Sequence, residues 1–434
     1  MAYLYRSNSG ASGTTATVSA WVKAVDTSVD AGVFQFKSGS DLVPLYINPV
    51  IKLRTYISSS TSNGALTSNR KIRDFSAWFN VVTTIDTTNA TAADRLRVYI
   101  NGERVTGFSV ETYPSQNYSY APIVSGNFEL GKYSSSDRPT YLAHVHYCDG
   151  YAYNADSFGS IDSVTGEWKI NTNPNVQYGS NGVFLKFANS ASMVTDSSGN
   201  NNTMSLSGSC LQTQDCPSNN FATLNPLVNT NSSSTLTNGN TTHTTTSNWL
   251  GEMTTIGAYT GKYYAEGKLT DRMNFSFGIC QANGDTQNNM STANNSLIGN
   301  YSDGWGFNGN NGDAYNKRHN GTQSTYGSAF ADNDIFMIAM DLDNGAVYFG
   351  KNGTWFDSGN PATNTNPAYG SITFTDSVHF CSGMENGQVQ WNFGNGYFGT
   401  TAISSEGSNA SGIGKFEYDV PAGYTALSTK GLNE

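Results

Sequence analysis

Apolar residues in this chain come in short runs separated by turn residues, and a helical period of 3.6 is not sustained anywhere. The stretch from Asn333 to Phe356 shows the pattern best. Ile335 to Leu342 is almost uninterruptedly apolar, too short for a typical helix, and closed by Asp343. Asn344-Gly345 then predicts a type I′ turn, which needs φ > 0 at two successive residues. Val347 and Phe349 alternate with Tyr348 in the predicted return strand, and Asn352-Gly353 predicts a second turn before Trp355. A similar unit lies far upstream: Ala77–Asp86, then Arg95–Phe108 with its turn at Asn101-Gly102. Thr15–Ala24 reads as a further strand with Val18, Ala20 and Val22 on one face. Asn154–Ile161 is the one segment that reads as a short helix or turn. Two hairpin units of one kind, far apart, predict an all-β chain of two antiparallel sandwiches in series.

Composition narrows the function classes. Charged residues are only 13% of the 434, about half the globular norm. With 12% aromatic residues there is ample surface to bury, so the Asn, Ser, Thr and 45 Gly read as tight turns and not as disorder. The formal net charge of −10, with no Lys/Arg cluster, argues against a nucleic-acid partner. No apolar run is long enough to span a membrane, and MAYLYRSNSG lacks the regions of a secretory signal. Five cysteines, Cys148, Cys210, Cys216, Cys280 and Cys381, are sparse and odd in number, as expected of buried thiols made in a reducing compartment. Cys210 and Cys216 are the one pair close enough in sequence to suggest a bridge.

Shifts in pattern divide the chain. Residues 1–208 carry many short strands and form a first sandwich; 209–235, rich in Asn, Ser, Thr and Pro, is a linker in which Phe221, Leu224, Leu227 and Val228 are placed to dock on a neighbouring domain. Residues 236–405 form a second sandwich, and 406–434 supply a closing strand and a C-terminal tail.

The elements SAWVK (Ser19–Lys23), AWFNVVTTID with LRVYINGERV, FELGKY (Phe128–Tyr133) and AHVHYCDGYAYNADSFGSID (Ala143–Asp162) resemble, in order, a concanavalin A-like jelly roll of the laminin-G type. Gly182–Gly208, with its DSSGN core, resembles the segment with which many such domains begin, yet here it comes last. Either the domain is circularly permuted or this piece starts a further sheet. GKYYAEGKL, FSFGIC, DLDNGAVYFGKNG and VQWNFGNG resemble a SPRY sandwich, itself concanavalin-like. The tandem pair, joined by CPSNNFATLNP, resembles virion proteins of tailed bacteriophages. That resemblance implies a particle-surface protein: a fibre, a capsid decoration or an adhesin.

Candidate chemistry is weighed on this scaffold. Glycoside hydrolysis needs two carboxylates facing one cleft. Asp341 and Asp343 alternate, but they sit at a predicted turn, where Asp favours local hydrogen bonds. His144 and His146 share a strand face as a zinc pair would, without a third ligand nearby in sequence. No cofactor is required by any motif. Calcium is the one ion the laminin-G resemblance implies, with Asp196 and Asn200 of DSSGN as its ligands. For binding, the loops at one end of a SPRY sandwich form a recognition surface. Tyr301–Gly321 would then offer Trp305 and Tyr315 to stack on sugar rings, and Asn310, Asp313 and Asn316 to read hydroxyls.

The expected function is therefore that of a non-enzymatic virion surface protein, made in the host cytoplasm. Its lectin-like domains would contact host glycans, other virion proteins, or both, in a homo-oligomer or symmetric array without membrane insertion. The rivals are a purely structural decoration or tail component, and a glycan depolymerase.

Overall fold

The computed structural model describes the chain except residues 1, 25–29, 59, 61–62, 75–76, 138–139, 247, 311–314 and 434. Strands hold 45% of the chain and helices 6%, so the tandem all-β architecture is as the sequence predicts. Two compact units divide it, Met1–Gln212 and Thr213–Glu434.

The first unit packs an eight-stranded sheet on a six-stranded one. In spatial order the larger sheet runs Phe108–Thr112, Ala65–Lys71, Val50–Arg54, Asp41–Asn48, Ala31–Ser38, Asn127–Leu130, Tyr3–Ser7 and Ser205–Ser207. The smaller runs Val183–Leu185, Tyr141–Asp149, Thr15–Lys23, Phe79–Asp86, Leu96–Ile100 and Glu103–Arg104. Alternation sends Val43, Leu45, Leu53, Phe36 and Phe128 inward from the first sheet, to meet Val18, Ala20, Val81 and Tyr147 from the second. Phe36 and Phe128 lie 5.1 and 4.8 Å from the Tyr147 ring, which ties the sheets face to face. Each such aromatic ring taken from water stabilises the fold by about 2 kcal/mol. The late segment edges both sheets: Val183–Leu185 pairs with Tyr141–Asp149, and Ser205–Ser207 pairs with Tyr3–Ser7. It starts no further sheet.

The second unit is organised by two long strands, Lys262–Gln281 and Val378–Asn392, antiparallel along most of their length with a register shift between Leu269 and Asp271. On its other edge Lys262–Gln281 pairs first with Ile335–Asp341 and then with Gly304–Asn310. Phe277, in the later half, stacks at 4.0 Å on Phe336 of the strand paired to the earlier half. The long strands thus pass from one layer to the other at the bulge, which is how sandwich corners form. Phe277, Phe307, Phe349, Phe380 and Trp391 fill the space between the layers.

Local signals were realised unevenly. At Asn101-Gly102 and Asn352-Gly353 both residues have φ > 0 and two-residue turns join the strands. At Asn344-Gly345 only Gly345 does, and the loop spans four residues between Asp341 and Ala346. Asp341 explains the difference: its buried carboxylate accepts the Asn344 N–H at 3.0 Å and the Asn344 side-chain amide at 2.8 Å, which fixes a wider turn. The segment expected to be a linker belongs to the second unit from Thr213 onward. Phe221 and Leu224 are buried there, Val228 is half-buried, and Leu227 is exposed. The last stretch packs Phe416, Val420 and Tyr424 against Tyr264 and Tyr348, and Thr425–Ala426 pairs in parallel with Tyr263-Tyr264. Asn154–Ile161 forms a short 3-10 turn at Ala155–Ser157 leading into the strand Gly159–Ile161.

Candidate functional site

The outer face of the eight-stranded sheet carries the densest functional chemistry of the first unit. Because strand residues alternate sides, the residues between the core positions point away from the core. Tyr3 and Tyr5 flank Leu4; Gln35 and Lys37 flank Phe36; Lys52 and Arg54 flank Leu53; Tyr46 lies between Leu45 and Ile47. Register sets them side by side: Tyr46 is opposite Lys52, and Glu129 lies between Tyr5 and Gln35. The turn after Asn127–Leu130 then folds across this face. Gln35 accepts the Ser134 N–H at 2.8 Å and donates to the Ser134 carbonyl at 3.0 Å, while Lys37 reaches the same carbonyl at 3.3 Å.

That fold-over builds an aromatic cluster. The Tyr133 ring lies 4.1 Å from the Tyr46 ring, and the Tyr46, Tyr56 and Tyr133 hydroxyls form a chain with steps of 3.4 and 3.3 Å. The Lys52 ammonium sits 5.3 Å over the Tyr46 ring, and that of Lys132 sits 3.7 Å over the Tyr3 ring. Burial, with the Tyr56 hydroxyl next, holds the Tyr46 phenol well above its ordinary range. Burial likewise pushes Tyr133 up to about 12. Both phenols are therefore neutral at physiological pH. Among the described side chains of this face, Gln35 donates to the Glu129 carboxylate at 2.5 Å and Asn48 to that of Asp30 at 2.8 Å. A hydroxyl-rich face with fixed cations is suited to recognising a polar ligand. For hydrolysis Glu129 would need a second carboxylate, whereas its partner is an amide.

The proposed sugar site of the second unit is arranged differently from the sequence expectation. Tyr301–Gly321, read as a loop, forms the strands Gly304–Asn310 and Tyr315–His319. Trp305 alternates with Phe307 toward the core and is only 5% exposed, with its ring stacked 4.9 Å from His319 and edge-on to Phe374. Its faces are covered, so it offers no platform for a sugar. Tyr315 is half-buried against the same core; Asn316 pairs with Asn308 and Thr325 in the sheet. Asn310 pairs with Asn274 through the backbone, and Asp313 lies outside the described residues. The Gly and Asn residues between Trp305 and Phe307 and beyond them hid the alternation. An aromatic residue that is exposed in this unit is Tyr259, at 67%; its hydroxyl donates to Asp376, which also accepts the Asn283 amide at 3.0 Å. No sequence signal pointed to it.

The DSSGN loop ties itself. Asp196 Oδ1 accepts the Phe184 and Ser198 N–H groups at 2.9 and 2.8 Å. Its Oδ2 accepts the Ser198 hydroxyl and the Asn202 N–H at 2.7 and 2.8 Å. The Asn200 amide donates to the Gly179 and Gly182 carbonyls. With both carboxylate oxygens doubly satisfied, a calcium ion would have to displace bonds the chain already makes. Among the described residues, no three His, Cys, Asp or Glu side chains gather as metal ligands. His146 is buried, bonded to the Tyr178 hydroxyl at 2.9 Å and stacked on Phe184 at 4.0 Å; burial lowers its pKa to about 3. His144 lies half-buried near the same Phe184 ring. Asp341 is paired with Lys262 at 2.9 Å and Asp343 accepts the Gly261 N–H, so both brace the hairpin. All five cysteines are free thiols, Cys210 and Cys216 included.

The fold and these surfaces define the class as tandem concanavalin-like sandwiches. Comparison with known families makes each half specific. Residues 2–142 match the family described as the concanavalin A-like lectin/glucanases superfamily, of laminin-G type, and residues 262–396 match the SPRY domain. No curated protein matches the chain. Among solved structures it is similar to the TRIM65 PSpry domain, with 15% identity, a TM-score of 0.31, and coverage of 39% of this chain and 91% of that one. The SPRY domain of human HERC1 gives 17%, 0.30, 39% and 96% by the same measures. Stonustoxin gives 17% and 0.29, covering 41% of this chain and 27% of that one.

Proposed function

We propose that this chain is a non-enzymatic adhesion protein displayed on the surface of a tailed-phage particle, where its lectin-type sandwiches contact host glycans. The observation that carries the reading is the joining of two recognition sandwiches in one chain, the first with an outer sheet face bearing hydroxyls and cations. The particle-surface location in this reading is supported by the resemblance of the tandem pair to virion proteins. The calcium that the laminin-G resemblance implies is not part of the proposal, since Asp196 and Asn200 fasten their own loop. Purified chain should compete with particles for host cells, lowering adsorption as its concentration rises. Adsorption that is unchanged at saturating chain would count against the reading.

A structural role in the particle has one observation in its favour. The hairpin Gly159–Ile161 and Trp168–Ile170 displays Ile161 and Val164 at 65% and 91% exposure, apolar residues placed as a subunit contact would place them. Both roles are compatible in one chain. Substituting Ile161 and Val164 by Ser distinguishes them: incorporation into particles would fall, while glycan binding by the purified chain would persist.

A further inference from the structure

We infer that the second unit carries a binding site for a soft monovalent metal ion, Cu(I), built from Cys280, Cys381, Met253 and Met290. With Ile298 these four side chains form a buried cluster of their own, and none is more than 3% exposed. Sulfur is scarce in the rest of the chain, which has nine Met and five Cys among 434 residues. The main core of the same unit includes Met340 and Met384 but no cysteine, its space being filled by aromatic and aliphatic residues. Space-filling alone would not concentrate four sulfurs in a cluster of five buried residues.

Strand register brings the sulfurs to one face. Ile279 and Phe380 point into the main core, so the adjacent Cys280 and Cys381 point the other way. Met253 is directly opposite Cys381. On its other side Cys381 faces Gly278, which has no side chain, and Cys280 lies diagonally two residues further on. Burial, with the Cys280 thiol next, holds the Cys381 thiol well above its ordinary range, which places the two sulfurs within reach of each other. Met290 comes from the segment that covers this face. Its carbonyl accepts the Gly251 N–H at 2.9 Å and lies 2.9 Å from Ser296 Oγ. A side chain at Gly251 would meet Met290 Cγ at 3.1 Å, so the glycine leaves room for the thioether.

The donor set selects the ion. Diagonal neighbours on paired strands lie about 7–8 Å apart, at or beyond the limit of roughly 7 Å between Cα atoms that a disulfide tolerates. Both thiols are free. An ion with metal–sulfur bonds of about 2.3 Å would bridge sulfurs that a direct bond cannot join. Thiolate with thioether is a soft set that selects Cu(I), whereas calcium and magnesium require oxygen. On binding, one thiol releases its proton to solvent and the resulting thiolate bonds Cu(I), so the buried cluster stays neutral and no oxidant is needed.

The test uses the full chain carrying Cys210→Ser and Cys216→Ser, which removes the two half-buried thiols as competing ligands. Cu(I) is supplied anaerobically, both to the folded chain and during refolding, and then challenged with bathocuproine disulfonate. One retained equivalent is expected, with X-ray absorption showing sulfur neighbours alone. Affinity should rise about tenfold per pH unit, as the release of one proton requires. Met253→Leu/Met290→Leu conserves volume and the fold. It should lower affinity at least about tenfold, since even groups behind a ligand are worth that much. Met290→Leu alone, on the covering segment, serves if the double variant does not fold. Copper retained by neither route would overturn the inference. So would nitrogen or oxygen neighbours around the ion, a pH-independent affinity, or a folded Met→Leu variant that binds Cu(I) as tightly as the parent.

Discussion

Glu266 is the most exacting place to test the physical account of the second unit. The side chain is fully buried. Its Oε1 accepts the Tyr418 N–H at 2.8 Å and the Tyr264 hydroxyl at 2.9 Å; its Oε2 accepts the Glu417 N–H at 2.9 Å and the Asn392 amide at 3.3 Å. One carboxylate thus fastens the closing stretch to the sandwich. Burial raises its pKa from 4.5 to about 7, against the opposing pull of the Glu417, Tyr418, Tyr264 and Asn392 donors. Below pH 4.5 the group is protonated folded and unfolded, and contributes no pH dependence. Between 4.5 and about 7 the unfolded chain releases the proton while the folded chain keeps it, so stability falls as pH rises; above 7 the loss is complete. The interval from 4.5 to about 7 corresponds to about 3 kcal/mol. In Glu266→Gln the group no longer titrates, and its new –NH2 faces groups that are themselves donors, a cost of about 1–3 kcal/mol. The variant should therefore be less stable than the parent at pH 5 by about that amount, with the gap closing by pH 8. Urea unfolding at a series of pH values measures the gap, and other titrating groups cancel in the comparison. Amide exchange of peptides covering 412–426 assigns it to the closing stretch. Parallel stability profiles for parent and variant from pH 5 to 8 would refute the reasoning.

Trp305→Ala should lower stability by about 3–5 kcal/mol in urea unfolding, because it empties a core position stacked on His319; a variant of parental stability would put the ring outside the core. Asp196→Ala should cost about 2 kcal/mol through the four donors it leaves. A chelator should move the melting temperature of the parent by no more than about 1 °C, and a drop of several degrees would restore calcium to this loop. His146 should show constant ring resonances from pH 8 down to 4 in NMR titration, as its lowered pKa of about 3 requires; a midpoint near 6.5 would contradict its burial. The unfolded chain takes up that proton near 6.5, so His146 lowers stability progressively as pH falls from 6.5 toward 3.

Fold class was legible because hairpin chemistry is local. Asn101-Gly102 and Asn352-Gly353 adopt the backbone their sequence requires, and the runs around them become the strands they describe. Asn344-Gly345 went another way because Asp341, three residues before Asn344, supplied a competing hydrogen bond. The lysine and tyrosine face was not legible. Period-two alternation says that Tyr46 and Lys52 each leave the core, but only strand order brings Lys132 and Tyr133 back over strands from the start of the chain. Trp305 failed for a related reason: between glycines, an inward aromatic residue looks the same in sequence as a loop-borne one.

The most direct measurement is immunogold labelling of intact, purified particles with antibody against this chain, combined with an adsorption assay using the same antibody. Gold on the particle surface together with blocked attachment to host cells is the predicted result. Particles that lack the chain, or that carry it and adsorb unhindered under saturating antibody, would contradict the proposed role in host attachment.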